Sequence, residues 1–242
     1  MTATALLRES LLDAAAVLLP VACSGCGSPD RSLCRSCRSE LRPRVVAATA
    51  GGIPVWAALE YEGVARRVIL AYKDGGRVDA APALAETLRA AVAAAQRGAS
   101  GPREGIGSPR SRASAALLPV LVPSSRAAAR RRGYHPTGHL LARAHILVPP
   151  LWGALRFARQ PKDQAGLSAV ERAGNRSGAL RASRRLAGRR CLIVDDIVTS
   201  GATVAEAARA IRAAGGCVAG AAALARTPLR YPASPRLPHS EP

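Results

Sequence analysis

The sequence predicts an α/β fold, a mainly parallel sheet flanked by helices, preceded by a small cysteine-bearing module. Three observations carry this. Short apolar, strand-like runs stand at Val55–Tyr61, Leu117–Val122 and Leu192–Val194, and each is followed by a stretch that reads as helix. The chain has 242 residues, enough for one such domain with a substantial core and one small module. Four of the six cysteines fall in two C-x-x-C pairs ahead of the first strand.

Element by element, the first twenty residues are apolar but interrupted by Arg8, Glu9 and Asp13. Leu7, Leu11, Ala14, Ala15 and Leu18 mark one stripe of an amphipathic helix. There is no uninterrupted run of spanning length and no basic segment ahead of a clean apolar core, so neither a membrane span nor a signal peptide is expected and the cytoplasm is the expected compartment.

Cys23-Ser-Gly-Cys26 and Cys34-Arg-Ser-Cys37 follow, seven residues apart. Each pair can put two thiolates on one side of a tight turn, and two such knuckles complete a tetrahedral zinc site with no open position. Gly25 and Gly27 suit the backbone of a knuckle. Disulfides need an oxidising compartment, and a redox C-x-x-C would use one pair and leave the other idle. Cys23, Cys26, Cys34 and Cys37 are therefore the expected ligands of a structural zinc ion, with residues 1–45 as a helix plus a zinc-ribbon-like module. Cys191 and Cys217, in apolar runs, read as small buried residues.

Residues 46–227 form the expected main domain. Its first strand leads to a helix over Val64–Tyr72 with Val64, Val68 and Ile69 inward, then a turn at Lys73-Asp-Gly-Gly-Arg77, then an alanine-rich helix over Ala81–Ala95. Residues 98–114, rich in Gly, Ser, Pro and Arg, read as a flexible insert, and 228–242, rich in proline, as a disordered tail.

The most informative stretch is Cys191-Leu-Ile-Val-Asp-Asp-Ile-Val-Thr-Ser-Gly-Ala-Thr203. It reads as a buried strand, two carboxylates at its end, a hydroxyl-rich turn, and a helix over Val204–Ala214 closed by Gly215-Gly216. The N–H groups and macrodipole of a helix N-terminus favour an anion, and Thr199, Ser200 and Thr203 can donate to phosphate oxygens. Asp195 and Asp196 have the opposite chemistry and accept from sugar hydroxyls or approach a metal ion. A plain βα turn with surface aspartates would instead use Thr199 or Ser200 as an N-cap. No lysine follows Gly201, so this is not a Walker A loop.

Upstream, the strand exit Pro123-Ser-Ser-Arg126 leads into Arg130-Arg-Arg-Gly-Tyr-His-Pro136. Ligands of open α/β sheets bind beyond the carboxyl ends of the strands, so this exit and the Asp195 loop could face one crevice, where guanidinium forks suit phosphate. A charged surface helix after Pro123 is the other reading. His135 and His139, four apart, have metal-pair spacing, but Pro136 and Gly138 between them argue against a regular helix.

Val194-Asp-Asp-Ile-Val-Thr-Ser-Gly-Ala-Thr203 resembles the motif that binds phosphoribosyl pyrophosphate (PRPP) in type I phosphoribosyltransferases. With the four-cysteine module ahead of it, the chain is similar to the ComF family, named for bacterial competence. Tyr72-Lys73-Asp-Gly-Gly76 resembles that family's Lys-x-x-Gly segment and Val120–Arg126 its Val-Pro-Val-Pro strand exit. Arg132-Gly-Tyr-His135 resembles its Arg-Gly-Phe-Asn signature. Gln164–Ser168, Arg172 and Asn175–Ala179 resemble its Gln-x-Gly-Leu-Ser…Arg…Asn-x-x-Gly-Ala stretch. The departures are His135 for Asn, Pro136 after it, Ser124-Ser125 after the strand, and the insert.

The resemblance implies a type I phosphoribosyltransferase fold and displacement of pyrophosphate from C1 of PRPP by an unidentified acceptor, commonly a nitrogen, through an oxocarbenium-like transition state. It implies Asp195 and Asp196 as catalytic residues holding the ribose, with Asp196 able to relay a proton. Thr199, Ser200, Gly201, Ala202 and Thr203 would hold the 5'-phosphate. Lys73, Ser124, Ser125, Arg126 and Arg132 would lie on the pyrophosphate side, with Mg²⁺ arriving with PRPP. The alternative is a non-catalytic PRPP- or nucleotide-binding accessory protein in competence and single-stranded DNA uptake, partnered by a competence helicase. A direct, weak single-stranded DNA contact ranks last, because only 3% of residues are aromatic and few remain to stack on bases. The net charge of +19 adds little, since all Lys and Arg residues but Lys73 and Lys162 are arginine, a skew that codon bias also produces.

Overall fold

The structure is a computed structural model describing residues 21–99, 117–146, 153–158 and 178–228. In chain order its elements are α1 (Arg35–Glu40), β1 (Val46–Ala50), β2 (Ile53–Glu60), α2 (Gly63–Asp74), α3 (Ala81–Ala99), β3 (Leu118–Leu121), α4 (Arg126–Arg132), α5 (Pro136–Arg143), β4 (Leu155–Phe157), β5 (Leu180–Ala182), β6 (Arg190–Val198), α6 (Ala202–Ala213) and β7 (Cys217–Arg226). The expected helix before residue 20, positions 100–114 of the insert, Gln164–Ser168, Arg172, most of 175–179 and the tail beyond 228 lie outside the described residues.

The main sheet runs β1-β2-β7-β6-β3, with β2, β7, β6 and β3 mutually parallel and β1 an antiparallel edge. A parallel sheet has to be covered on both faces. Alternation along β6 divides the core accordingly. Leu192 and Val194 join a cluster with Val68, Ile69, Leu84, Leu88 and Leu141 from α2, α3 and α5. Cys191 and Ile193 join another with Val204, Ala207 and Ile211 of α6 and Leu155 and Leu180 of the β4–β5 hairpin. That hairpin is fastened to α6 by Glu206, whose Oε1 accepts from Leu180 N–H at 2.8 Å while Arg209 holds both carboxylate oxygens. Burial works against the charge of Glu206, but Arg209 and the backbone donors prevail and keep its carboxyl below the usual range.

The central strand β7 reads Cys-Val-Ala-Gly-Ala-Ala-Ala-Leu-Ala-Arg and gives almost no strand signal. It is a strand because it lies between β2 and β6, which satisfy its backbone on both sides. Its alanines let the alanine-rich α3 approach closely. Trp56 of β2 is wedged between two glycines: a Cβ on Gly98 would come 2.3 Å from its ring and one on Gly220 2.6 Å.

Several elements differ from their sequence reading. Helix α2 continues through Lys73 and Asp74, so the turn begins only at Gly75. Gly98 and Ala99 are the last residues of α3 rather than the start of the insert, because Ala99 is buried and Gly98 seats Trp56. Strand β6 runs on to Val198 and carries the acidic pair within it. Cys191 is fully buried, as expected, and its thiol is pushed up to about 11 by burial. Cys217 is exposed instead, since it opens β7 at the sheet's end. No helix among the described residues is long and apolar enough to cross a membrane.

Candidate functional site

The chemistry gathers at the carboxyl ends of the parallel strands. Continuing the alternation of β6, Asp196 points to the face that carries α2, and there Lys73 Nζ meets its Oδ2 at 2.6 Å, with side chains only 17% and 19% exposed. Each carboxylate is also oriented by the main chain: Asp196 N–H donates to Asp195 Oδ1 at 2.8 Å and Ile197 N–H to Asp196 Oδ1 at 2.7 Å. Burial, and then the Asp196 carboxylate beside it, push Asp195 up to about 8. A carboxyl raised in this way holds a proton near neutrality.

Beyond β6, Thr199 and Ser200 are exposed, Gly201 is buried, and Ala202 and Thr203 open α6. The N-cap is Gly201 at φ +79, not Thr199 or Ser200. No side chain fits there: a Cβ on Gly201 would lie 2.5 Å from Gly51 N and 2.7 Å from Ala50 Cβ, because the β1–β2 turn is seated on this loop. The first intrahelical bond is Ala205 N–H to Gly201 C=O at 2.8 Å, so the N–H groups at this end lie outside the helix's own ladder, the arrangement that takes an anion. Gly201→Ala combines left-handed strain with a backbone collision, and a loss of about 2 kcal/mol is expected. Thermal denaturation checks it; an unchanged midpoint would mean that the hairpin does not depend on this contact.

On the neighbouring strand exit, Ser124 N–H lies 3.1 Å from His135 Nε2, Ser125 Oγ caps α4 by accepting from Ala128 N–H at 3.2 Å, and Arg126 is the first residue of α4. Arg132, the last residue of α4, has a carboxylate partner. Its guanidinium is paired with Asp74 Oδ1 at 2.8 Å, and this pairing outweighs burial and holds Asp74 below the usual carboxylate range. Sequence reading missed Asp74, although it adjoins Lys73, because only the fold brings it against residue 132. It also missed the ion pair between Glu60 and Arg226, 2.6 Å apart at the ends of β2 and β7.

Pro136 and Gly138 do not break α5. Proline is well placed at the first helical position, where its missing N–H costs nothing, and His135 Nδ1 caps the helix by accepting from Gly138 N–H at 3.2 Å. The two histidines nevertheless do not pair for a metal. Arg143 Nε donates to His139 Nε2 at 3.2 Å, His139 Nδ1 lies 2.9 Å from Tyr72 Oη, and Tyr72 O–H donates to Pro136 C=O at 2.9 Å. That chain is self-consistent only with the proton of His139 on Nδ1.

The four cysteines converge. Their sulfurs all lie within 4.8 Å of one another, Cys26 and Cys34 at 3.7 Å, and all are free thiols. A tetrahedron with Zn–S of about 2.3 Å has edges of roughly 3.8 Å, so the set fits zinc. Cys23 Sγ accepts from the N–H groups of Gly25 (3.4 Å) and Cys34 (3.3 Å), and Cys34 Sγ from Cys37 N–H (3.4 Å), as thiolates in knuckles do. Burial opposes ionisation of Cys23, but these donors bring it down to about 6; burial and three neighbouring sulfurs push Cys37 far up. The module is docked on α2: Cys23, Leu33, Cys37 and Leu41 pack with Val64, Ala65 and Val68, Arg67 donates to Gly25 C=O, and Arg77 reaches Ala22 C=O at 2.8 Å.

A separate hollow of about 850 Å³, lined by Pro82, Glu86, Arg89, Arg143 and His145, contains none of the residues around the acidic pair. Residues 130–238 match the family model described as the phosphoribosyl transferase domain, a stretch that holds the acidic pair, the Gly201 loop, β6, α6 and β7. No curated protein matches the chain.

Proposed function

We propose that this protein binds PRPP across the carboxyl ends of β6 and β3 and transfers its phosphoribosyl group to an acceptor, as a ComF-type phosphoribosyltransferase with a zinc-stabilised N-terminal module. The observation that carries the reading is the main-chain-oriented Asp195–Asp196 pair, with Lys73 on Asp196, immediately ahead of the Gly201 anion end of α6, all inside the stretch that matches the phosphoribosyl transferase domain. Asp195 and Asp196 would hold the ribose hydroxyls, and residues 199–203 the 5'-phosphate. Lys73, Ser124, Ser125, Arg126 and Arg132 would lie toward the pyrophosphate, which brings Mg²⁺ with it. This set is cationic and hydroxylic, so it suits the anion and leaves the ion to the pyrophosphate oxygens. Zinc would be held by Cys23, Cys26, Cys34 and Cys37 and supply stability rather than reactivity, since no ligand position is left open.

In the reaction, a nitrogen lone pair of the acceptor forms the new bond to C1 as the C1–O bond breaks, the electron pair leaves on pyrophosphate, and the acceptor's proton passes to a base or to water. The residues contribute placement and charge: cations toward the departing pyrophosphate, carboxylates beneath the cationic ribose.

One observation favours the non-catalytic reading, a PRPP- or nucleotide-binding accessory in competence. Arg132, expected at the pyrophosphate, is engaged by Asp74. Among the described residues the direct DNA-stacking reading gains nothing, because Trp56, Tyr61, Tyr72, Tyr134 and Phe157 are buried in or packed against the core. Incubation with Mg²⁺, PRPP and a panel of bases and amines separates the first two. Pyrophosphate release with any acceptor is expected; tight PRPP binding with no release for any acceptor would leave the accessory role.

A further inference from the structure

Lys73 stands between two residues that are each tied to one short segment, residues 132–136. On one side of it, Tyr72 C=O is among the last carbonyls of α2, which a helix leaves without an intrahelical partner, and Tyr134 O–H donates to it. The Tyr72 O–H in turn donates to Pro136 C=O at 2.9 Å. On the other side, Asp74 Oδ1 accepts from Arg132 Nε at 3.0 Å and from Nη2 at 2.8 Å, and the Arg132 side chain is largely buried. Gly133, the C-cap of α4 at φ +73, turns the chain so that Arg132 and Tyr134 reach the two neighbours of one lysine. The Tyr134 ring stands edge-on to Tyr72 and to His139, with centroids 5.8 Å apart in both pairs.

We infer that Tyr134 is a positioning residue: together with Arg132 it clasps the last turn of α2 and so sets Lys73 Nζ on Asp196, where it supplies the counter-charge of the acidic pair. The clasp belongs to the empty protein, and its consequence for ligand binding rests on the proposed PRPP reading. A lysine head rides on a flexible four-carbon stem, so it keeps a 2.6 Å contact only while the base of that stem is fixed. A small displacement of the helix end would let the head swing to solvent. Burial moves the Tyr134 hydroxyl above the usual phenol range, so it remains a donor at neutral pH. The ligand of the PRPP reading is a polyanion, which two adjacent carboxylates repel unless a cation is held among them. Loss of the clasp should therefore weaken PRPP through Lys73 and by no other route.

The test compares wild type, Tyr134→Phe, Lys73→Met and the double variant. Tyr134→Phe deletes one hydroxyl and keeps the ring in its edge contacts, so the fold should survive. Two quantities are read: the carboxyl titration of Asp195 in the empty protein, followed by carbon NMR, and the affinity for PRPP with Mg²⁺ at neutral pH. Asp195 faces Asp196 of β6, which raises it, and Lys73 of α2, which lowers it. Tyr134→Phe is therefore expected to move the Asp195 titration upward, in the direction of Lys73→Met, and the double variant no further than Lys73→Met. PRPP should weaken roughly three- to tenfold in Tyr134→Phe, but less than about twofold where Lys73 is already methionine. An Asp195 titration unmoved in Tyr134→Phe, even with a lower thermal midpoint, is what a purely structural hydroxyl gives and would overturn the assignment. Equal PRPP losses with and without Lys73 would overturn it too. Should wild type bind no PRPP while Asp195 shifts as expected, the clasp stands and the PRPP reading alone fails.

Discussion

Replacing both carboxylates, Asp195→Asn with Asp196→Asn, is expected to cost PRPP affinity at least about a hundredfold, while Asp195→Asn alone makes the empty protein more stable above neutral pH. The affinity loss follows from the acceptors removed. Above pH 8, where Asp195 is ionised as well, hydrogen bonds from ribose hydroxyls to charged carboxylates contribute roughly 1.5–3 kcal/mol each, and two lost together exceed the roughly 2.7 kcal/mol of a hundredfold change. Titration calorimetry with PRPP and Mg²⁺ measures it, and unchanged binding would reject the site assignment. The stability gain follows from protonation. Asp195 is raised from 3.8 to about 8 in the folded protein, so between those values the native state holds a proton that the unfolded chain releases. Stability from this group is present at low pH and falls as pH rises through that window. Asparagine removes the slope, and a gain on the order of 1 kcal/mol at pH 8.5 corresponds to a midpoint about 2–4 °C higher. A variant midpoint equal to the wild type at both pH 5.5 and 8.5 would show that the carboxyl is not buried as described.

Removing the metal is expected to have the largest effect on stability. The four sulfurs within 4.8 Å are placed to hold a cation between them, and a structural zinc ion there would contribute about 10–16 kcal/mol of apparent binding energy that is also folding energy. Its loss should not stay in the module. Cys23, Leu33, Cys37 and Leu41 share a core with Val64, Ala65 and Val68 on one face of α2, and the last turn of α2 carries the Lys73 that meets Asp196. Cys37→Ser, or stripping with a strong chelator, should lower the thermal midpoint by at least about 10 °C and also weaken PRPP binding. Metal analysis of fresh protein should give about one zinc per chain. Less than about half an equivalent would remove the zinc assignment, and unchanged PRPP affinity after metal loss would uncouple module and site.

How much was legible beforehand depended on whether a feature was written in neighbouring residues. The strand before the acidic pair, the helix after it and the cysteine spacing are local, and each came out of a few consecutive positions. Strand β7 was not legible, since a run of alanines has no period and becomes a strand only between β2 and β6. Helix α5 was misjudged because Pro136 was taken to weaken its first turn, whereas at the first position proline favours the helix and His135 caps it. The N-cap of α6, for which the plain βα-turn alternative offered Thr199 or Ser200, is Gly201, because the close seat of the β1–β2 turn admits only glycine.

By itself the sequence determined the class of fold, the cysteine set and the acidic pair with its hydroxyl loop, because those depend on hydrophobic pattern and on residue types at short spacing. Tertiary structure alone decided which charges meet: Lys73 on Asp196 and Arg132 on Asp74. Those partners lie far apart along the chain and are brought together only when α2, α4 and α5 pack around β6. The same packing raises Asp195, because its carboxyl loses solvent on folding and sits beside a second carboxylate, and no stretch of sequence specifies how much solvent it loses.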